Sequence, residues 1–122
     1  MYELKIRDNF SAAHNLRNYK GKCEHIHGHN YLVTVTFVSK KIDKNGLVID
    51  FSILKNILKK VIDKIDHKYL NEDIIFFKKN NPSAENIAKY IFLELKKAVK
   101  KPKLKSVCIH ETEDSMVIYS EK

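Results

Sequence analysis

Residues Tyr2–His14 read YELKIRDNFSAAH, and Tyr2, Leu4, Ile6, Phe10, Ala12 and His14 share one parity, broken only by Asp8. Side chains alternate across an extended chain, so this is the pattern of a strand with one buried face. Residues 29–38 repeat it, with Tyr31, Val33, Val35 and Phe37 on one side. Lys44-Asn45-Gly46 is a turn signal, and Leu47-Val48-Ile49 reads as a short extended piece after it. From Asp50 the period becomes helical: Leu54, Ile57, Leu58, Val61, Ile62 and Ile65 are apolar, with lysines between them. Asn80-Asn81-Pro82-Ser83 marks a stop and a restart, with Ser83 as N-cap and Glu85 at the positive end of the helix dipole. Ile87, Ala88, Ile91, Phe92, Leu95, Ala98 and Val99 line this second helix, Pro102 closes it, and 104–112 and 116–120 read as two last strands. The order ββααββ predicts an α+β domain: a four-stranded antiparallel sheet with two helices on one face. Such a sheet has open edges unless it pairs with copies of itself, so an oligomer is expected.

A chain of 122 residues is one ordinary domain, and at 43% hydrophobic it can bury a core. The expectation is a single domain over residues 1–122. No apolar run approaches the ~20 residues of a membrane span. The N-terminus, MYELKIRDNF, carries charges where a signal peptide would be apolar. Cys23 and Cys108 are too few for a disulfide scaffold, which leaves reduced thiols in a cytoplasmic protein. The net charge of +8 is compatible with a solvated lysine surface, an anionic small substrate or a nucleic acid. All but two of the 23 basic residues are lysines, the exceptions being Arg7 and Arg17. Base readout and single-strand binding rely on arginine and interleaved aromatics, so a nucleic-acid partner is not expected.

Cys23-Glu24-His25-Ile26-His27-Gly28-His29 concentrates three histidines and a cysteine in seven residues. In extended chain His27 and His29 point the same way, and their parity continues into Tyr31, Val33 and Val35. His14 shares its side with Phe10 and Ala12, so three imidazoles can meet at one end of a single buried face. Three histidines with an open fourth position is a catalytic zinc arrangement, whereas a structural zinc site is closed by four protein ligands. A zinc finger fits poorly, because Cys23 has no partner at CxxC spacing. Cys23 is either a fourth ligand or a reactive thiol with a lowered pKa. Asp66-His67 is either a helix-end charge pair or a carboxylate-held imidazole that can take a proton from a thiol. Glu111 shares parity with Val107 and Ile109, so it either reaches water or holds a heterocycle offering adjacent N–H and amino donors. Cys108 reads as a buried strand residue, and His25 and His110 as ordinary ones.

With these residues together, the chain resembles the 6-pyruvoyltetrahydropterin synthase / 6-carboxytetrahydropterin synthase family. The likeness runs through Phe10-Ser-Ala-Ala-His14, Cys23-x3-His27-Gly28-His29, Gly46-x3-Asp50-Phe51, Asp66-His67-x2-Leu70-Asn71, Pro82-Ser83-x-Glu85-Asn86 and Glu111-Thr112. It implies the tunnelling fold, in which ββααββ subunits close into a trimeric barrel and two trimers stack. It implies zinc on His14, His27 and His29, a pterin held by Glu111 with Thr112 beside it, and Cys23 as base tuned by Asp66 and His67. The substrate it implies is 7,8-dihydroneopterin triphosphate. The spacing Cys-x3-His-Gly-His in a compact chain resembles the 6-carboxytetrahydropterin synthases of queuosine biosynthesis, which release acetaldehyde and triphosphate. Glu24 resembles a subgroup that cleaves the side chain to 6-hydroxymethyl-7,8-dihydropterin for folate, and is otherwise a solvated loop carboxylate. The alternatives are a pyruvoyl-forming synthase that only eliminates triphosphate, and a basic zinc-bound nucleic-acid-binding module.

Overall fold

The computed structural model describes residues 1–21 and 24–122. The elements in chain order are β1 (Tyr2–His14), β2 (His27–Ser39), α1 (Phe51–Asp63), β3 (Lys68–Tyr69), α2 (Leu70–Asp73), α3 (Ile75–Lys79), α4 (Ala84–Ala98), β4 (Lys103–Thr112) and β5 (Ser115–Tyr119). β1 and β2 pair antiparallel along their whole length, from Tyr2 opposite Ser39 to His14 opposite His27. β2 continues the sheet to β4, and β4 to β5, both antiparallel.

Alternating burial follows the parity of the sequence. Ile6, Phe10 and Ala12 of β1, Tyr31, Val33, Val35 and Phe37 of β2, and Val107 and Ile109 of β4 are all buried. Phe10 and Tyr31 face each other in the register and stack with centroids 4.8 Å apart. The helices close over this face: α1 with Leu54, Leu58, Val61 and Ile62, α4 with Ile87, Ala88, Ile91, Phe92 and Leu95. Each helix starts where its cap permits. Asp50 accepts a hydrogen bond from the backbone N–H of Ser52, and Ser83 from that of Asn86.

Three features depart from the expected four-stranded antiparallel plan. The sheet has five strands in the order β3-β1-β2-β4-β5, and β3 is parallel to β1. The cause is local. After α1, the backbone N–H of His67 donates to the Ser11 carbonyl (2.6 Å) and the Ser11 N–H donates to Asp66 Oδ1 (2.9 Å). The chain is thereby laid against the free edge of β1 for two residues. The second departure is the pair of short helices α2 and α3 between α1 and α4. The third is Leu47-Val48-Ile49, which is not a strand. Asp43 Oδ1 accepts from the N–H groups of Asn45 (2.8 Å) and Leu47 (3.0 Å), and Gly46 takes φ +81°, so the turn consumes the bonds that a strand would need.

A candidate metal centre

The β1–β2 register brings His14 directly opposite His27, with His29 opposite Ala12 one step further along the same face. Ring nitrogens of His14, His27 and His29 all lie within 4.8 Å of one another. His14 is only 2% exposed, with the Tyr31 hydroxyl 3.3 Å from its Nε2.

Second partners decide where the protons sit. His14 Nδ1 lies 2.5 Å from the Pro82 carbonyl oxygen, and His27 Nδ1 2.7 Å from that of His25. A carbonyl can only accept, so both rings carry their proton on Nδ1 and present bare Nε2 lone pairs. Those two Nε2 atoms are 3.0 Å apart. Two lone pairs at that distance repel unless a cation or a proton lies between them. His29 is the third ring of the cluster. Its Nε2 is buried without a hydrogen bond, although Glu111 Oε1 stands 3.5 Å away. Ligand nitrogens around a tetrahedral metal ion lie roughly 3.3 Å apart, close to the 3.0 Å between His14 and His27, so the cluster is consistent with a metal site. Tying the distal nitrogen to a carbonyl is also how metal-binding histidines are oriented.

Burial pushes the His14 imidazole below its ordinary 6.5, with His27 and His29 acting the same way against the opposing pull of the Pro82 carbonyl and Glu111. A base held neutral by folding binds fewer protons in the native chain than in the unfolded one, so native stability rises with pH through that window. The metal-free protein is therefore expected to lose stability as pH falls from about 7 to about 5, with His14→Gln flattening the slope. Urea unfolding across that range checks this.

The remaining predicted site residues fall in three places. Glu111 lies where the β4–β5 register shifts, between His110 and Thr112, a kind of irregularity that re-aims side chains. Thr112 Oγ1 accepts from the Asp114 N–H (3.3 Å) and closes the β4–β5 turn. Asp66 and His67 sit beyond β1, on the other side from the cluster. Asp66 Oδ1 receives the Ser11 N–H and His67 Nδ1 (2.9 Å), which together hold its carboxyl below the usual range. His67 takes φ +58°, costing on the order of 1 kcal/mol for a residue with a Cβ, and its side chain is 80% exposed. His67 lines a cleft of about 450 Å³ together with Ser11, Ala12, Ala13, Gly28, His29 and Asn30. Among the described residues nothing bonds His67 to the three histidines. Glu24 is exposed, its carboxylate 3.7 Å from His25 Nε2. Cys23 lies outside the described residues.

Sequence reasoning missed the partners that orient the rings. The Pro82 and His25 carbonyls are backbone atoms, and residue type gives no sign of them. Parity gives Tyr31 only a core role, although its place two residues after His29 on the same face puts its hydroxyl within reach of His14.

Comparison with known proteins places the chain in a family. The family profile described as 6-pyruvoyl tetrahydropterin synthase matches residues 3–122. A Rickettsia typhi protein named 6-carboxy-5,6,7,8-tetrahydropterin synthase is 38% identical over 111 residues, covering 78% of this chain and 80% of its own. The Caenorhabditis elegans 6-pyruvoyl tetrahydropterin synthase structure superimposes with a TM-score of 0.91 at 33% identity, over 99% of this chain and 96% of that one. The Plasmodium vivax 6-pyruvoyl tetrahydropterin synthase gives 0.72 at 25% identity, over 98% and 97%. That enzyme has also been solved with a catalytic glutamate replaced by cysteine and by alanine. The ββααββ order, the paired long strands and the likeness along nearly the whole chain lead to one conclusion: this chain belongs to the 6-pyruvoyl tetrahydropterin synthase family, lyases that act on a dihydroneopterin triphosphate.

Proposed function

We propose that the protein is a zinc-dependent 6-carboxy-5,6,7,8-tetrahydropterin synthase, one cytoplasmic domain over residues 1–122. With one water it converts 7,8-dihydroneopterin triphosphate to 6-carboxytetrahydropterin, acetaldehyde and triphosphate. The observation that carries the reading is the meeting of bare imidazole lone pairs at one end of the core, 3.0 Å apart for His14 and His27. Zinc held by His14, His27 and His29 would supply Lewis-acid polarisation of the substrate's side-chain oxygens. Glu111, beside His29, offers two carboxylate oxygens to the N–H and amino donors of the pterin ring and so sets where the side chain reaches. Cys23 takes the proton from the side chain, and His67, its Nδ1–H fixed by Asp66, moves the second one through its exposed Nε2. Asp66 and His67 do not touch the cluster in their own chain, so this reading needs a second copy to complete the site. The free stretch of β1 and the β5 edge, with exposed Met116 and Ile118, are the surfaces for that pairing. We propose trimers stacked into a hexamer. The lysine-rich surface then attracts a triphosphate rather than a nucleic acid.

The carboxypterin product is favoured over the pyruvoyl product by the compact Cys-x3-His-Gly-His spacing and by the likeness to the Rickettsia typhi protein. A second activity is suggested by Glu24. It follows Cys23 in the sequence, and the Plasmodium vivax relative has a glutamate described as a catalytic residue. Incubating the zinc-loaded protein with 7,8-dihydroneopterin triphosphate and weighing the products separates the readings. Carboxypterin with acetaldehyde supports the proposal, 6-hydroxymethyl-7,8-dihydropterin supports the second activity, and a pyruvoyl product alone overturns it. Glu24→Gln is expected to leave carboxypterin formation within about twofold while removing any hydroxymethyl product.

A further inference from the structure

On the face of the sheet turned away from the helices, β4 and β5 bring three soft donors together. Cys108 and His110 are two residues apart on β4, so their side chains leave the same face, and Cys108 Sγ stands 3.9 Å from His110 Nδ1. Met116 is directly opposite His110 in the β4–β5 register, one diagonal step from Cys108, which faces Ile118. Opposed side chains start about 5 Å apart at Cβ and diagonal ones about 7–8 Å, both within reach of a thioether. Val107 and Ile109 point into the core and Glu111 toward His29, so the three donors lie across the sheet from the histidine cluster. The proposed reaction uses none of them.

A sulfur–nitrogen separation of 3.9 Å is long for a hydrogen bond. Sulfur and nitrogen ligands of one ion stand roughly 3.5 Å apart in tetrahedral geometry and roughly 3.7 Å apart in trigonal geometry, so the pair is set nearer the trigonal spacing. A second observation points to the same place. Thr34, opposite Cys108 on β2, is 8% exposed, and its Oγ1 is buried without a hydrogen bond. A metal-bound thiolate is an acceptor and gives that hydroxyl a partner. The surrounding charges select the ion. Burial pushes the Cys108 thiol up while Lys5 and Arg7 pull it down. His110 opens on a cleft of about 480 Å³ that Arg7 and Glu113 share. Two cations against one carboxylate repel a dication more than a monovalent ion. Sulfur donors and low charge both favour copper(I).

We propose that Cys108, His110 and Met116 form a copper(I) site separate from the three-histidine centre, with Thr34 donating to the bound sulfur. The ion displaces the thiol proton to solvent, and nothing is oxidised or reduced. The test titrates the zinc-loaded full chain with copper(I) under argon against a chromophoric chelator. It is run in the Cys23→Ala background, which leaves Cys108 as the one thiol. That protein is expected to take about one copper(I) per chain, keep its zinc and melt at a higher temperature. Adding Cys108→Ser should weaken the binding at least about 100-fold, and His110→Gln or Met116→Leu at least about 10-fold each, since even partners outside a coordination shell carry 10- to 100-fold. Met116 is 55% exposed, so Met116→Leu keeps the test open should Cys108→Ser fail to fold. Absence of copper(I) uptake by the Cys23→Ala protein overturns the proposal, as does uptake that expels zinc or survives Cys108→Ser. Affinity unchanged by His110→Gln or by Met116→Leu reduces the site to a lone thiol and overturns it as well.

Discussion

Purified His29→Ala is expected to carry less than about a tenth of the wild-type zinc and to turn over substrate at least about a thousandfold more slowly, since a catalytic metal supplies several kcal/mol and each 1.36 kcal/mol is tenfold. His29 is the informative ligand because metal and fold separate there. His14 is 2% exposed and packed against Tyr31, so truncating it opens a cavity as well as a coordination position. The His29 side chain is 21% exposed, and its Nε2 makes no hydrogen bond, with Glu111 Oε1 3.5 Å away. Removing a buried polar nitrogen that makes no hydrogen bond relieves a desolvation penalty of about 1–3 kcal/mol, against which stands the lost attraction to Glu111. Metal-free His29→Ala should therefore stay close in stability to metal-free wild type, while wild type alone gains stability when zinc is added. Metal analysis and melting curves with and without zinc read both arms. Wild-type zinc stoichiometry in the variant would remove the three histidines as the metal site, and with it the functional proposal.

Much of this is legible in the sequence. Strand parity placed His14, His27 and His29 on one buried face, because a one-residue slip would have turned all of Phe10, Tyr31, Val33 and Val35 outward. The change of period at Asp50 and the N-cap at Ser83 announced the two long helices. What stayed hidden depends on backbone atoms or on pieces too short to have a period. Residues 70–79 form two helices of four and five residues, below the length at which apolar spacing separates helix from strand. The two-residue β3 exists because the Ser11 N–H donates to Asp66, 55 positions away, and the Ser11 carbonyl accepts from the His67 N–H. The position of His67 across β1 from the metal cluster follows from that contact, and adjacent motifs in the sequence gave no sign of it.

Cys23→Ala is expected to cut turnover by about 10²- to 10⁴-fold, the range a positioned general base contributes, while zinc content and melting temperature stay at wild-type values. The connection from His14 to His27 begins and ends at one point of the sheet, since those two residues face each other. Cys23 is four residues before His27, so chain length alone keeps it within about 14 Å of the ligand. A thiol near a bound dication is easier to ionise than a free one, which suits it to accept a proton from a substrate carbon. The competing role is fourth metal ligand, and the two make opposite predictions for the same variant. A base leaves zinc affinity unchanged on removal, and the cobalt-substituted enzyme shows no sulfur-to-metal charge-transfer band to lose. A ligand takes affinity and that band with it, and closes the position that substrate oxygens need. Cys23→Ala with full metal and residual turnover near wild type would defeat both roles and leave Glu24 as the remaining loop residue able to accept the proton. The double variant Cys23→Ala/Glu24→Gln then decides, because its turnover falls to background only if that carboxylate had taken over.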